Sequence, residues 1–285
     1  MCLVVIGRRV RSDYPLVLAT NRDEFFERPT ASARFWSGNQ DILGGWDERS
    51  GGTWAGVSRS GRLAVLTNIR DPKGFRASAA SRGHLVREFL QGRQDIAGYM
   101  RRLISTAHNY NSFNLLFGWL DELYCFASRG KRLCRLDPGI HGLSNGLINE
   151  PWPKVRRGVQ DLGRLLHRME PPGQEELFSL LADDRQAEPD QLPDTGIGPE
   201  WERFLSPVFI RGREYGTRNA TLLLLDASGR IHFRERRFSR EDHASGAPRV
   251  WSAPEAVYTI TLPSPPGGGT CGAGGILPAC RGSTW

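Results

Sequence analysis

The chain has 285 residues and a formal net charge of +7, with 39% hydrophobic and 24% charged residues. This composition is typical of a globular protein with one large or two small domains, and no apolar run is long enough to span a bilayer. The basic residues are scattered rather than gathered in one stripe, which argues against a nucleic-acid-binding protein. Arg8 and Arg9 follow the first apolar run, and no signal-peptide cleavage site is present, so we expect a cytoplasmic protein.

The first half of the chain predicts strands and then helices. Short runs rich in β-branched residues, "CLVVI" and "PLVLAT", predict two strands, and "TWAGVS" and "RLAVLTN" predict a hairpin that turns at "RSG". Apolar residues then recur at helical spacing in "SRGHLVREFLQG" and "DIAGYMRRLIS". Ser81 and Asp95 are the predicted N-caps of these two helices.

The second half repeats this order and ends in strands. Four strands are predicted in "SFNLLFGW", "ELYCFAS", "KRLCRL" and "IHGLSN", followed by a helical pair over about 152–184 and a loop over 186–200. Strands return in "PVFIRG", "NATLLLL", "RIHFRERRF" and "AVYTITL". Runs of strands segregated from runs of helices predict an α+β fold, with two antiparallel sheets packed face to face and helices outside.

The C-terminal segment has a different composition. Glycine and proline dominate without a repeating period, which predicts a disordered tail over 263–285. The chain has five cysteines at wide spacing, and this odd number argues against a disulfide scaffold. Cys271 and Cys280 in the tail could bind a metal or form a disulfide, but an unstructured tail is the simpler interpretation.

Cys2 is the first candidate for chemistry. Once Met1 is removed, Cys2 carries a thiol with a pKa of about 8.5 beside a free α-amine with a pKa of about 7.7–8.0. One residue then supplies both a nucleophile and a base. The alternative is a buried, inert cysteine at the start of a strand.

The run "NRDEFFERP" follows the second predicted strand. Asp23 could orient the α-amine of Cys2, and Arg22 could hold that carboxylate or favour a thiolate. Asn21, Arg22 and Glu24 are the candidate substrate-binding residues, because polar groups at a strand end can face a site rather than the core. The alternative is a solvated turn.

Three more polar residues stand at the ends of predicted strands. Asn68 ends "RLAVLTN" and Asn145 ends "HGLSN", where an amide can donate to a developing oxyanion, although asparagine also favours ordinary turns. Arg218 enters a very apolar strand, where its guanidinium needs a partner. That partner is the Cys2 thiolate, a substrate carboxylate or a structural aspartate.

The six histidines offer no sign of a metal centre, because their positions show no ligand spacing. No phosphate-binding loop or dinucleotide fingerprint occurs either. We therefore predict neither a metal site nor a nucleotide cofactor.

A set of motifs in this order resembles a known family. "MC" at the start, "NRDEFFERP", "GGTWAGVSRSGRLAVLTN", "GLSN" and "YGTR" together resemble the NRDE family, also called the transport and Golgi organization 2 family. The resemblance covers about 1–262, which we take as a single domain. The family is similar in layout to the cysteine N-terminal nucleophile (Ntn) hydrolases, so the resemblance implies an Ntn-hydrolase-like αββα sandwich.

The resemblance also implies roles for the candidate residues. Cys2 matches the nucleophile and Asp23 matches the aspartate that holds its amine. Asn68 and Asn145 match the positions of an oxyanion hole, and Arg218 matches an arginine near the thiolate.

One position departs from the pattern of those hydrolases, in which an arginine stands three residues before the aspartate. This chain has Thr20 there, and its arginine, Arg22, is adjacent to Asp23. We therefore expect a different charge environment at the thiolate.

Two functions follow from the resemblance. The first is hydrolysis of a linear amide or thioester bond, with no cofactor required. The second is a non-catalytic intracellular carrier, because the family is associated with haem trafficking and with acyl-CoA and lipid metabolism. In the second case haem or an acyl-CoA is the transported ligand, held by arginines.

Overall fold

Two β-sheets form the centre of the protein, in a computed structural model that describes residues 2–240, 254–263 and 278–281. The first sheet is antiparallel and contains β1 (Cys2–Arg8), β2 (Leu16–Phe25), β10 (Gly139–Leu143), β11 (Tyr215–Leu225), β12 (Arg230–Arg237) and β13 (Ala256–Thr261). Its order is β10-β1-β2-β11-β12-β13, so β2 lies between β1 and β11.

The second sheet has eight strands. They are β3 (Thr30–Trp36), β4 (Asn39–Asp47), β5 (Ala55–Ser58), β6 (Arg62–Asn68), β7 (Phe113–Trp119), β8 (Glu122–Ala127), β9 (Arg132–Leu136) and β14 (Ala279–Cys280). Their order is β14-β9-β8-β7-β6-β5-β4-β3, and every pair is antiparallel except β14 with β9.

Helices cover the outer faces of both sheets. They are α1 (Gly83–Gln91), α2 (Ile96–Thr106), α3 (Pro153–Leu166), α4 (Gln174–Leu181) and the short α5 (Pro199–Phe204). The apolar faces of α1 and α2 pack on the second sheet, and those of α3 and α4 pack on the first. A third apolar cluster fills the space between the sheets, so the predicted αββα sandwich is confirmed. None of the helices in the described ranges is long and apolar enough to cross a membrane.

The two-residue period of β1 distributes its side chains between two cores. Val4 and Ile6 pack between the sheets, whereas Leu3 and Val5 pack against α3 and α4. Both faces are covered, which is why the strand is apolar at consecutive positions. The same period places Cys2 on the Val4 side, facing the space between the sheets.

Two regions differ from the predicted elements. The hairpin of β3 and β4 was not predicted. The strand predicted in "PVFIRG" (207–212) is wrong, because this apolar segment is buried without pairing into either sheet. Its backbone groups find other partners: the Phe209 N–H donates to the Asp183 carbonyl at 2.8 Å, and the Ile210 carbonyl accepts from the Thr217 N–H at 3.0 Å.

The C-terminal segment departs from the predicted disorder at residues 278–281. Cys280 forms a disulfide with Cys134, and β14 pairs with β9 at the edge of the second sheet. The Asp137 N–H donates to the Cys280 carbonyl at 3.2 Å. Composition alone could not show this, because residues 278–281 form a short stretch of a segment rich in glycine and proline. Cys271 lies outside the described residues.

Candidate active site

Cys2 lines a pocket at one end of the sandwich, where β1 begins and β2 and β6 end. The pocket has a volume of about 370 Å³, and its walls include Arg22, Asp23, Glu24 and Asn68. Only 8% of the Cys2 surface is exposed. The structure therefore gathers five of the eight candidate residues around one cavity.

Neighbouring residues fix the backbone of Cys2. Cys2 lies opposite Arg22 in the antiparallel pairing of β1 with β2. Its carbonyl accepts a hydrogen bond from the Ser144 Oγ at 2.9 Å, just after β10. The nucleophile candidate is thus held by the strands on both sides of β1.

The "NRDE" run is part of β2 and is not a solvated turn. Asn21, Arg22 and Asp23 are 0%, 5% and 1% exposed. Alternation along the strand sends Arg22 toward the space between the sheets, whereas Asn21 and Asp23 face the helices. Charged groups this deeply buried require partners, and the structure supplies them.

Asp23 is held by groups from two elements, β11 and α3. Its Oδ1 accepts a hydrogen bond from the Thr217 Oγ1 at 2.7 Å, and its carbonyl accepts one from the Tyr215 hydroxyl at 3.1 Å. Its Oδ2 lies 3.8 Å from the Lys154 Nζ. Burial raises the pKa of Asp23, while the Lys154 charge and the Thr217 hydrogen bond oppose that rise.

Lys154 was missed at the sequence level. It follows Pro153 in the first turn of α3 and is 1% exposed. Burial lowers its pKa to about 8, while Asp23 opposes that shift. The only signal in the sequence is a lysine placed between Trp152 and Val155, on the apolar face of a predicted helix, and this does not identify its partner.

Arg22 and Glu24 belong to a charged network on the other side of the pocket. The Arg22 guanidinium lies 4.3 Å from the centre of the Trp54 ring, and its Nη2 is 3.8 Å from the Glu24 Oε2. The same oxygen lies 3.8 Å from the Arg28 Nε, and Arg28 also pairs with Asp47. Both predicted residues therefore face the cavity, and Arg28 is an addition from the structure.

The buried position of Cys2 has a chemical consequence. Burial raises the pKa of its thiol, and the Asp23 charge adds to that effect, while Arg22 acts in the opposite direction. The thiol is therefore protonated at neutral pH, and a nucleophilic role requires a nearby base.

Asn21 does not line the pocket, so its predicted role in substrate binding is corrected. Its Nδ2 donates to the carbonyls of Leu181 and Val208, both at 2.8 Å. The period of the strand turns Asn21 toward α4, where its amide joins the sheet to the helix layer.

Arg218 also lies away from the pocket. It is the extra residue of a β-bulge between Thr217 and Asn219, and a bulge redirects side chains. Its Nη1 donates to the carbonyls of Phe25 and Phe26 at 2.7 and 3.2 Å, and burial lowers its pKa to about 10. The predicted contact with the thiolate is therefore replaced by a contact with the loop after β2.

Asn68 and Asn145 are neighbours, but they face different cavities. Asn68 lines the pocket of Cys2, whereas Asn145 lines an adjoining cavity of about 590 Å³. The Asn145 Nδ2 donates to the Asn68 carbonyl at 2.8 Å. This bond places Asn145 behind Asn68 and commits its amide to the backbone.

The described residues contain no group of three or more histidine, cysteine or acidic side chains that could hold a metal ion. Their free thiols are Cys2 and Cys125. Cys125 lies in the core between the sheets, away from the pocket.

Comparison with known proteins identifies the family to which this chain belongs. A sequence model of the family "Transport and Golgi organisation 2" matches residues 1–240. The chain belongs to this family. The bovine Transport and Golgi organization protein 2 homolog is 37% identical over 248 residues, covering 79% of this chain and 87% of the relative. The human homolog is 36% identical, covering 81% and 90%. The predicted family membership is confirmed.

The fold is also similar to a solved structure of an enzyme. The C2A mutant of the conjugated bile acid hydrolase from Clostridium perfringens matches 93% of this chain and 99% of its own, with a TM-score of 0.47 and 9% sequence identity.

Proposed function

We propose that the Cys2 pocket of this Transport and Golgi organisation 2 family member hydrolyses a linear amide or thioester bond. The observation that carries the proposal is the position of Cys2 in a pocket that Asp23, a residue with a buried carboxylate, also lines. A cysteine that serves only the core has no need of a polar cavity or of a buried carboxylate nearby.

The reaction begins at the Cys2 sulfur. Removal of Met1 frees the α-amine of Cys2, and this amine takes the thiol proton as the sulfur bonds to the carbonyl carbon. The bond to the leaving group then breaks, and the departing amine or thiol takes the proton. Water adds to the resulting thioester, the C–S bond breaks, and the Cys2 thiol is restored.

Asp23 and Asn68 support this reaction from the pocket wall. The Asp23 carboxylate accepts a hydrogen bond from the α-amine and so orients it. Asn68 is the residue placed to donate to the developing oxyanion, a contribution of about 2.7–4 kcal/mol in a working site. Asn145 acts indirectly, because its amide donates to the Asn68 carbonyl and so positions Asn68.

A substitution pair tests the proposal. Cys2→Ala is expected to abolish turnover across a panel of linear amides and thioesters while leaving the melting temperature near that of the wild type. Cys125→Ala, at the other free thiol of the described residues, is the matched control and is expected to retain turnover. Equal turnover in Cys2→Ala and the wild type would show that the chemistry lies elsewhere.

A carrier is the second candidate function, and the arginines of the pocket favour it. Arg22, Arg28 and Arg82 all line the cavity. Among the described residues, the hydrogen-bond acceptor of Arg82 is the Ser112 carbonyl at 3.0 Å. Arginines of this kind can bind the carboxylates of haem or the phosphates of an acyl-CoA. This function predicts saturable binding without turnover. A carrier function also predicts that Arg82→Ala binds haem or an acyl-CoA more weakly than the wild type. Unchanged affinity for both ligands in that variant would contradict the carrier function.

A further inference from the structure

A lysine is buried behind the wall of the candidate active site. Lys154 enters from α3 and places its Nζ 3.8 Å from the Asp23 Oδ2. We infer that Lys154 is a positioning residue, whose ammonium keeps Asp23 ionised so that Asp23 can orient the amine of Cys2. This inference rests on the proposed hydrolase function for the role of Cys2, but the effect on Asp23 can be tested without it.

The distance between the two side chains makes Asp23 the counter-charge of Lys154. The lysine is 1% exposed, and its Nζ has no hydrogen-bond partner in the part of the chain that the structure describes. An isolated ammonium in such a place would be strongly disfavoured, so a charged lysine there depends on a nearby anion. Within the described ranges, the carboxylate of Asp23 is the anion at ion-pair distance from Lys154.

Other charged groups near Lys154 do not replace Asp23. Arg70 and Arg157 are cations, and both disfavour the ammonium. The thiol of Cys2 favours it only when the thiol is ionised. Burial has the largest effect and lowers the pKa of Lys154 to about 8, so the ammonium is the main form at neutral pH and is lost above it.

The groups around Asp23 show why it needs the lysine. Burial is the main influence and raises the pKa of Asp23. Thr217 donates to its Oδ1, Tyr215 donates to its carbonyl, and Arg22 favours the carboxylate weakly. Lys154 is the largest influence in favour of the ionised form, so its loss would raise the pKa of Asp23 further.

Stability at two pH values tests this dependence. Lys154→Met is expected to lower the melting temperature strongly at about pH 7.5 and less at about pH 5, because Asp23 takes up a proton when the ammonium is missing. Adding Asp23→Asn is expected to restore most of the loss at about pH 7.5. If Lys154→Met fails to fold and the double variant folds, the same rescue is observed.

Arg157→Met is the matched control, because it removes a cation from the same helix. Its partner is Asp183, with a distance of 3.6 Å between the Arg157 Nε and the Asp183 Oδ2, so Asp23→Asn should not rescue it. An equal loss of melting temperature at both pH values in Lys154→Met, with no rescue by Asp23→Asn, would overturn the inference. Lys154 would then only fill space.

A second readout concerns Cys2 itself. We expect Lys154→Met to slow alkylation of Cys2 at about pH 7 by about tenfold or more. The acid limb of the rate profile should move to higher pH, because it follows the ionisation of Asp23, whose pKa rises when Lys154 is lost. Superimposable profiles for the variant and the wild type would contradict a positioning role. If wild-type Cys2 reacts no faster than an ordinary thiol, the hydrolase proposal fails, while the stability comparison still decides the effect of Lys154 on Asp23.

Discussion

Asp23 and Glu235 are buried carboxylates of the same sheet, and they lie in different regions. Asp23 is 1% exposed and faces Lys154 and Thr217 at the pocket end of the sandwich. Glu235 is 2% exposed and lies between the sheets, where it accepts hydrogen bonds from the Ala33 N–H at 2.7 Å and the Thr221 hydroxyl at 3.1 Å. Burial raises the pKa of both.

The difference shows that burial alone does not identify a catalytic carboxylate. The pairing of β3 with β4 is irregular between Ala31 and Arg34, and Glu235 binds the N–H of Ala33 within that irregular stretch. Glu235 therefore joins the two sheets. Asp23 has the same burial, but it lies in the wall of a cavity that also contains a thiol, and that position is what suggests chemistry.

Replacing each carboxylate should separate the role of Asp23 at the pocket from the role of Glu235 between the sheets. The loss of Cys2 reactivity in Asp23→Asn is the largest effect that we expect. Asp23→Asn should slow alkylation of Cys2 by about 100-fold, because the amine loses the group that orients it. It should also lower the free energy of unfolding by about 3 kcal/mol, because Lys154 loses its counter-charge. Glu235→Gln should leave the alkylation rate unchanged. Equal slowing in both variants would remove the distinction.

The pH dependence of stability should report Glu235 directly. Its pKa rises from 4.5 to about 7 on folding, so the folded state binds the proton more tightly than the unfolded state. The associated stability is complete below about pH 4.5 and is lost as the pH rises through about 7, a change of about 3 kcal/mol. Urea unfolding across this range should show a flatter profile for Glu235→Gln than for the wild type. Parallel profiles would contradict the expectation.

The two threonines that bind these carboxylates offer a smaller, matched comparison. Thr217→Val and Thr221→Val each remove a hydroxyl hydrogen bond to a buried carboxylate. Thr221→Val should cost about 2 kcal/mol, and Thr217→Val should cost more, because the Thr217 hydroxyl also accepts from the Ile210 N–H at 2.9 Å. Only Thr217→Val should also slow alkylation of Cys2, by several-fold, because only Thr217 holds Asp23. A slower Cys2 in Thr221→Val would show that general loosening of the sheet controls the reactivity.

The layers of the fold could be predicted because apolar periods and turn residues are local signals. The hairpin of β3 and β4 was missed because it mixes polar residues, two consecutive glycines and an irregular register. The segment 207–212 has strand-like composition, but the neighbouring strand, β11, already pairs with β2 on one edge and β12 on the other. That competition between partners is not visible in a local pattern.

The sequence predicted the part of the candidate site that the pairing of neighbouring strands brings together. Cys2 and Arg22 are adjacent because β1 and β2 form one hairpin, and Asp23 follows in the same strand. The family resemblance implies that Arg218 lies near the thiolate, but a bulge turns it toward the loop after β2, and one inserted residue has no sequence signature here. Lys154 comes from a helix more than a hundred residues away, and only the tertiary fold brings it to Asp23.

Intact-mass spectrometry of the purified protein, before and after brief treatment with a cysteine-reactive electrophile, tests the central claim most directly. We predict loss of Met1 and one rapidly formed adduct, which disappears in Cys2→Ala and persists in Cys125→Ala. A retained Met1, or labelling no faster than that of an ordinary thiol, would contradict an N-terminal nucleophile at this pocket.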